Sequence, residues 1–305
     1  MELPTELKAL YRHWPEHTAR QAKQPNPYEV FEDEKLFKEI SIFIHARMSI
    51  WEKKYTGMPP PYSDDPILSA YRFCNILREL DRQTIEYHTL LNPLRSDFPL
   101  WLLNMFYCRL VARPETVRST GLLSFDYSNN EALYERLNKY PRPRYGTPYV
   151  FPISTILRSA TPTREEFLTQ YLPGVIEGIA KEISSWGKLS VVEGVRRVIP
   201  LFGFNQTFLW TEVLIDVAYQ FPEHVDLYKP FPVGPGSSPT FKRINPHTEP
   251  SELAAQLGHL GFETNLTYEQ VPLTLSAENW EGVGCEFRKY TNLESGKGRR
   301  RLFRA

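Results

Sequence analysis

The chain has 305 residues, 41% of them hydrophobic and 24% charged, which excludes wholesale disorder and suits one large or two tightly joined domains. Lys+Arg 36 balances Asp+Glu 36, so any nucleic-acid surface has to come from local clustering rather than net charge. Cys74, Cys108 and Cys285 form no CxxC and no zinc spacing, which argues against a disulfide framework or zinc site and for a reducing, cytoplasmic setting.

The polar residues 1–27 end in QPNP and are expected as an N-terminal arm that enters the fold. No signal peptide is legible there, because charges stand where its apolar core should be. Leu36, Ile40, Phe43, Ile44, Ile50 and Trp51 then repeat with a helical period behind an acidic start, and Gly57 to Pro61 stops that helix. Asp64-Asp65-Pro66 predicts a second helix running to Thr84, with an Asp cap and Pro in its first turn. A third is expected over 98–111. Its greasiest stretch, Phe98 to Cys108, is interrupted by Asn104 and falls far short of the ~20 residues of a membrane span, so a soluble chain without a membrane partner is expected.

Further helices are expected at 163–172, 174–186, 188–198, 204–220 and 250–260, in loop-rich surroundings that suit the 26 prolines. No alternating run is long enough for a sheet, and a small strand pair is allowed only near 149–154 or in the tail. The expected fold is all-α, with few or no strands. It divides into the arm, a helical domain over 28–287, and a basic tail over 288–305.

Three groups of residues carry chemistry. On the predicted 64–84 helix, Phe73, Ile76, Leu77, Leu80 and Thr84 make an apolar stripe, and Arg72, Asn75, Glu79 and Arg82 make a polar one flanked by Arg78 and Asp81. Guanidinium groups suit bidentate phosphate binding; a solvated, ion-paired helix face is the plainer reading. The second group is Gly203-Phe204-Asn205 between two helices, the layout of a helix-hairpin-helix near 188–220, whose turn offers backbone N–H groups to a DNA phosphate. Asn205 stands where such a hairpin carries a second glycine, and Asn tolerates the left-handed conformation. Asp216, late in the following helix, is either tuned for acid–base work or satisfied by a neighbour. Nearby, Gly234-Pro235-Gly236-Ser237-Ser238 can leave backbone donors open, though it lacks the GxxxxGK[ST] spacing of a P-loop, which occurs nowhere in the chain. The third group is the tail, where Arg288, Lys289, Arg299, Arg300 and Arg301 interleave with Tyr290 and Phe303 in a pattern suited to a phosphate backbone.

In order, DDPILSAYRFCNILRELDRQT, FYCRLVARPET, the helix carrying Asp216, VGPGSS and CEFRKY followed by GKGRRR resemble the alpha-glutamyl/putrescinyl thymine pyrophosphorylases, or amino acid:DNA transferases. They equally resemble the helical domain attached to 5-hydroxymethyldeoxyuridine DNA kinases. The resemblance spans about residues 30–303. It implies a glycosylase-like helical core that works on thymine hypermodification: a kinase phosphorylates or pyrophosphorylates hydroxymethyluracil in DNA, and the transferase replaces that group with an amine. One departure stands out. Pro232-Val233 is followed by Gly234, where such glycosylases carry a catalytic Asp.

The resemblance implies a host-cytoplasmic, phage-type enzyme whose partners are double-stranded DNA with modified thymine, an amino acid or polyamine, and a base kinase. Displacing a pyrophosphate requires cations on the leaving group and a base for the amine. Asp216, Glu79 and Arg72 are the catalytic candidates. Asn75, Arg78, Arg82, Gly234, Gly236, Glu286 and Lys289 are the phosphate or substrate candidates. Gly203, Asn205, Arg288, Arg299, Arg300 and Arg301 are the DNA contacts, with the target base flipped out. Magnesium is compatible with pyrophosphate handling, but no metal ligand is legible. Two rivals are a base-phosphorylating kinase or its helical part, and a non-catalytic DNA-binding module.

Overall fold

A computed structural model describes residues 1–18, 26–147, 156 and 158–298. The chain divides into two units, Met1–Asp81 with Leu227–Ala305, and the contiguous Arg82–Asp226. Both are mostly helical, and the one sheet among the described residues is a two-stranded hairpin.

In the first unit, Asp33 caps the helix Glu34–Tyr55 by accepting the N–H of Lys35, and Leu36, Ile40, Phe43, Ile44, Met48 and Trp51 form its buried face. Residues 1–18, expected as an arm, carry the short helices Thr5–Leu10 and Trp14–Thr18, which bury Leu7, Leu10, Trp14 and His17. The strands Glu263–Tyr268 and Val271–Thr274 pair antiparallel, with Glu263 opposite Thr274 and Tyr268 opposite Val271. Glu269 and Gln270 both take positive φ, 52° and 67°, as a two-residue turn of the right hand requires. No strand was expected at this hairpin; of the positions where a strand pair was allowed, 288–298 continue or follow the helix Ala277–Glu294, and 149–154 and 299–305 lie outside the described residues. The turn lacks the Asn-Gly spelling that announces a hairpin, and only Thr264 and Leu266 of the first strand point inward.

The helix Ala277–Glu294 was not expected at all. Ser276 and Asn279 close a capping box at its start. Gly282 and Gly284 read as breakers, yet a Cβ on Gly284 would stand 2.8 Å from Cε2 of Phe241, so this glycine lets the helix Ser238–Ile244 approach closely.

A second correction concerns 64–84. Asp65 does cap a helix, accepting from Ile67 and Leu68, but Pro66–Ala70 is its full length, and Tyr71 is extended at φ −114°, ψ 148°. The chain resumes regular structure only at the 3-10 turn Arg78–Leu80 and the helix Arg82–Leu91, which belongs to the second unit. The apolar residues expected inside, Phe73, Ile76, Leu77 and Leu80, are all buried, but no single helical stripe carries them.

The second unit is built on Phe98–Val111, capped by Asp97 and buried along Trp101 to Val111. The two helices expected at 163–172 and 174–186 are one. Arg164–Glu166 passes through a π turn, Phe167–Tyr171, into Leu172–Ser184. The N–H of Leu172 reaches back five residues to Phe167, a widening that admits Pro173, which has no N–H to give. Val191–Phe202 and Thr207–Gln220 follow, bent by 119° at their junction. No single described helix is long and apolar enough to cross a membrane.

Candidate functional site

Residues 72–75 form no helix because side chains, most of them charged, rather than a helical ladder, satisfy their backbone. Lys289 donates to the carbonyl of Arg72, and Arg47 to those of Phe73 and Cys74 at 3.3 and 3.0 Å. Glu286 accepts from Cys74 N–H at 3.0 Å, and Asp81 from Asn75 N–H at 3.2 Å. The carboxamide of Asn75 closes the loop on the carbonyl of Leu80 at 2.9 Å. Such side-chain bonds compete with helix formation. Arg47 and Lys289 also lie over the ring of Phe73, at 5.3 and 4.5 Å from its centroid. This wiring leaves the side chain of Arg72 exposed.

The glycine turn is held by the same helix, Ala277–Glu294. Glu281 accepts from Gly234 N–H at 3.2 Å and from the hydroxyl of Ser237 at 2.5 Å, so a carboxylate of the chain itself occupies part of the turn expected to receive phosphate. Arg288, expected on DNA, donates to the carbonyl of Pro235 at 2.6 Å and more weakly to that of Gly236. A Cβ on Gly236 would lie 2.8 Å from Sγ of Cys285. Helical spacing explains the division of labour. Glu281, Cys285 and Arg288, at i, i+4 and i+7, face the turn, while Glu286 and Lys289 face residues 72–74.

Thus the structure brings together Arg72, Asn75, Gly234, Gly236, Glu286, Arg288 and Lys289 around one helix of the first unit. Both thiols there are held in the protonated form. Burial, then Glu286, pushes Cys285 up to about 11, and the surrounding protein, then Glu286 and Asp81, pushes Cys74 up to about 12.

Arg78 opens the 3-10 turn, and Glu79 is fully buried, with Oε1 3.0 Å from Nε2 of His13. Arg82 and Asp216 belong to the second unit. Arg82 forms an exposed i,i+4 pair with Glu86. Asp216 is fully buried and held by Arg109 through two bonds of 2.5 and 2.6 Å, with His88 Nε2 at 3.1 Å. Gln220 donates to His88 Nδ1 at 2.9 Å, so Nε2 carries the hydrogen and donates to Asp216. Burial alone would raise the pKa of Asp216; Arg109 and then His88 outweigh it and hold the carboxyl well below the usual range. Burial in turn lowers the pKa of His88, against the pull of Asp216. This is the geometry of a structural ion pair. The sequence reading missed Arg109, which stands among apolar neighbours in its helix as Asp216 does, and His88, whose helix Arg82–Leu91 is mostly polar and gives no such signal.

The Gly203 turn forms between its two helices as expected. Gly203 adopts φ 81° and donates to Ile199 at 3.0 Å, a left-handed C-cap. Asn205 does not take the left-handed conformation expected of it; its carboxamide accepts from the hydroxyl of Thr207 at 2.7 Å. Three large apolar side chains of this unit are exposed among the described residues, and two flank this turn: Leu201 at 50% and Phe208 at 62%. Arg196, also exposed, lies seven residues before Gly203 on the same helical face. Arg299, Arg300 and Arg301 lie outside the described residues.

A family model described as 5-hmdU DNA kinase, helical domain, matches residues 34–299. The chain belongs to this family. As a 5-hmdU DNA kinase helical domain it carries the Arg72–Asn75 segment, the Gly203 turn, the glycine turn and the Ala277–Glu294 helix within the matched stretch, and His13 and His17 outside it. The 5-hmdU DNA kinase of Bacillus phage SP10 is 31% identical over 118 residues, which cover 37% of this chain and 18% of that protein. The chain therefore aligns with under a fifth of that relative's length. No solved structure matches it.

Proposed function

We propose that this helical domain is the DNA-engaging part of a system that phosphorylates 5-hydroxymethyluracil in DNA, with the Gly203 turn as its contact. The observation that carries this reading is the exposure of Leu201 and Phe208 on either side of a left-handed glycine turn, with the exposed Arg196 two helical turns before it. An aromatic side chain beside backbone donors and a cation suits a protein that grips phosphate and stacks on, or wedges beside, a base. The chain contains no P-loop sequence, which counts against a self-sufficient P-loop kinase, and this reading assigns phosphoryl transfer to another polypeptide segment or partner. The similarity to the 5-hmdU DNA kinase of the phage supports 5-hmdU DNA as the substrate.

The test is fluorescence anisotropy on matched duplexes containing thymine or 5-hydroxymethyluracil, across a salt series. Phe208→Ser should weaken binding roughly tenfold, as loss of one stacked base does, with an unchanged salt slope. Arg196→Ser should reduce the slope by about 0.9. Unaltered binding in both variants sinks the reading.

A second reading, amine transfer onto the phosphorylated base, draws on the grouping of Arg72, Glu286, Lys289 and the Gly234–Gly236 turn around one helix. There Arg72 and Lys289 would neutralise the departing phosphate. Mass spectrometry of nucleosides from hydroxymethyluracil DNA, treated with a base kinase, ATP-magnesium and pooled amino acids or polyamines, separates the two. An amine-bearing thymine that disappears with Arg72→Ala supports transfer; phosphorylated hydroxymethyluracil as the final product rules transfer out.

A further inference from the structure

We propose that His13, His17 and Glu79 form a site for one divalent transition-metal ion of the zinc class, which ties residues 1–18 to the Arg78–Leu80 turn. The two histidines stand four apart, His17 within the short helix Trp14–Thr18 and His13 just before it, so both imidazoles emerge on one side. Their ring centroids are 4.9 Å apart at an interplanar angle of 81°. Glu79 arrives from 66 positions away and places Oε1 3.0 Å from His13 Nε2. One ligand atom from each of the three lies within 4.8 Å of the others. Atoms bound tetrahedrally at zinc–ligand distances of about 2.1 Å lie about 3.4 Å apart, so a movement of about an ångström seats an ion.

The surroundings point the same way. His17 Nδ1 donates to the carbonyl of Thr274 at 2.9 Å, which fixes the tautomer with the lone pair on Nε2. Thr274 is itself fixed: its hydroxyl donates to the carbonyl of His17 at 2.6 Å and lies 3.0 Å from the hydroxyl of Tyr228. The three ligands are no more than 2% exposed. In such a place a cation offsets the cost of desolvating a carboxylate, and two imidazoles with one carboxylate suit zinc, cobalt or iron rather than the all-oxygen preference of magnesium. His13-Trp14-Pro15-Glu16-His17 spells the H-x-x-E-H of one class of zinc protease. With every ligand buried, however, the ion is walled off from substrate and its work here is structural.

The experiment uses the full chain, stripped with chelator and titrated separately with cobalt(II) and zinc(II). Wild type should develop the visible absorption of a low-coordinate cobalt site at one equivalent, and its Tm should rise by roughly 5 °C at a hundredfold excess of zinc over Kd. His17→Gln and Glu79→Gln should lose both responses. Wild type with no cobalt band and an unchanged Tm overturns the proposal, whatever the variants do. So does a folded His17→Gln that binds cobalt as wild type does, because the ion then sits elsewhere.

Discussion

The carboxylate of Glu286 accepts the backbone N–H of Cys74 at 3.0 Å, joining positions 212 apart in sequence. The bond substitutes for a helical one, and it is charge-assisted. Glu286→Ala should therefore cost about 1.5–3 kcal/mol and raise amide exchange at residues 72–75, whereas Glu286→Gln, which keeps an acceptor, should cost less. Wild-type exchange at residues 72–75 in Glu286→Ala would show that this bond contributes nothing to the segment.

Gly236 and Cys285 are in contact where the glycine turn meets the Ala277–Glu294 helix. Adding a Cβ at 2.8 Å from sulfur overpacks the contact, so Gly236→Ala should destabilise by about 1–3 kcal/mol. Removing the sulfur in Gly236→Ala/Cys285→Ala should recover most of that loss. Chemical denaturation of the four proteins in this cycle measures the coupling, and simple additivity would rule the close approach out.

Breaking the Arg109–Asp216 pair leaves a buried cation without its anion. Asp216→Leu should cost about 3–5 kcal/mol, and Arg109→Met/Asp216→Leu should be clearly more stable than that single variant. The check is the urea midpoint. A wild-type midpoint for Asp216→Leu would mean that the carboxylate is not a structural anion.

Acidification acts on the same network. The pKa of His88 in the folded chain lies below its ordinary 6.5, so the unfolded state takes up the proton first. Stability from this group is complete above about 6.5 and declines as the pH falls, with a slope of up to about 1.4 kcal/mol per pH unit. Asp216, also lowered, adds a loss of the same sign only below its ordinary 3.8. Tm measured from pH 7 to pH 5 should drop more steeply for wild type than for His88→Gln. Parallel curves would mean that His88 is not the group responsible.

Much of the helical framework is legible in the sequence because its signals are local. Asp33, Asp65 and Asp97 cap the helices whose starts they announce, and the period of Leu36 to Trp51 marks a real buried face. The errors fall where distant groups override local preference. Nothing between Tyr71 and Leu77 forbids a helix; Arg47, Glu286 and Lys289 take the backbone away from one. Gly284 reads as a breaker until Phe241 is beside it. The candidate site suffers likewise. Asp216 is identifiable as unusual among its apolar neighbours, but its partners stand 107 and 128 positions away. The sequence analysis reads no metal ligand in His13 and His17, and only the folded chain brings Glu79 to them.

The two units differ in how the chain supplies them. Arg82–Asp226 is one unbroken stretch, while its neighbour draws on residues either side of it. During synthesis the unbroken stretch leaves the ribosome complete, and domains fold as units in that order. The Glu34–Tyr55 helix is made earlier, yet Arg72 and Cys74 must wait more than two hundred residues for Lys289 and Glu286. Until then the first-made segment has no fixed shape to adopt, and it is the stretch a chaperone or protease meets exposed.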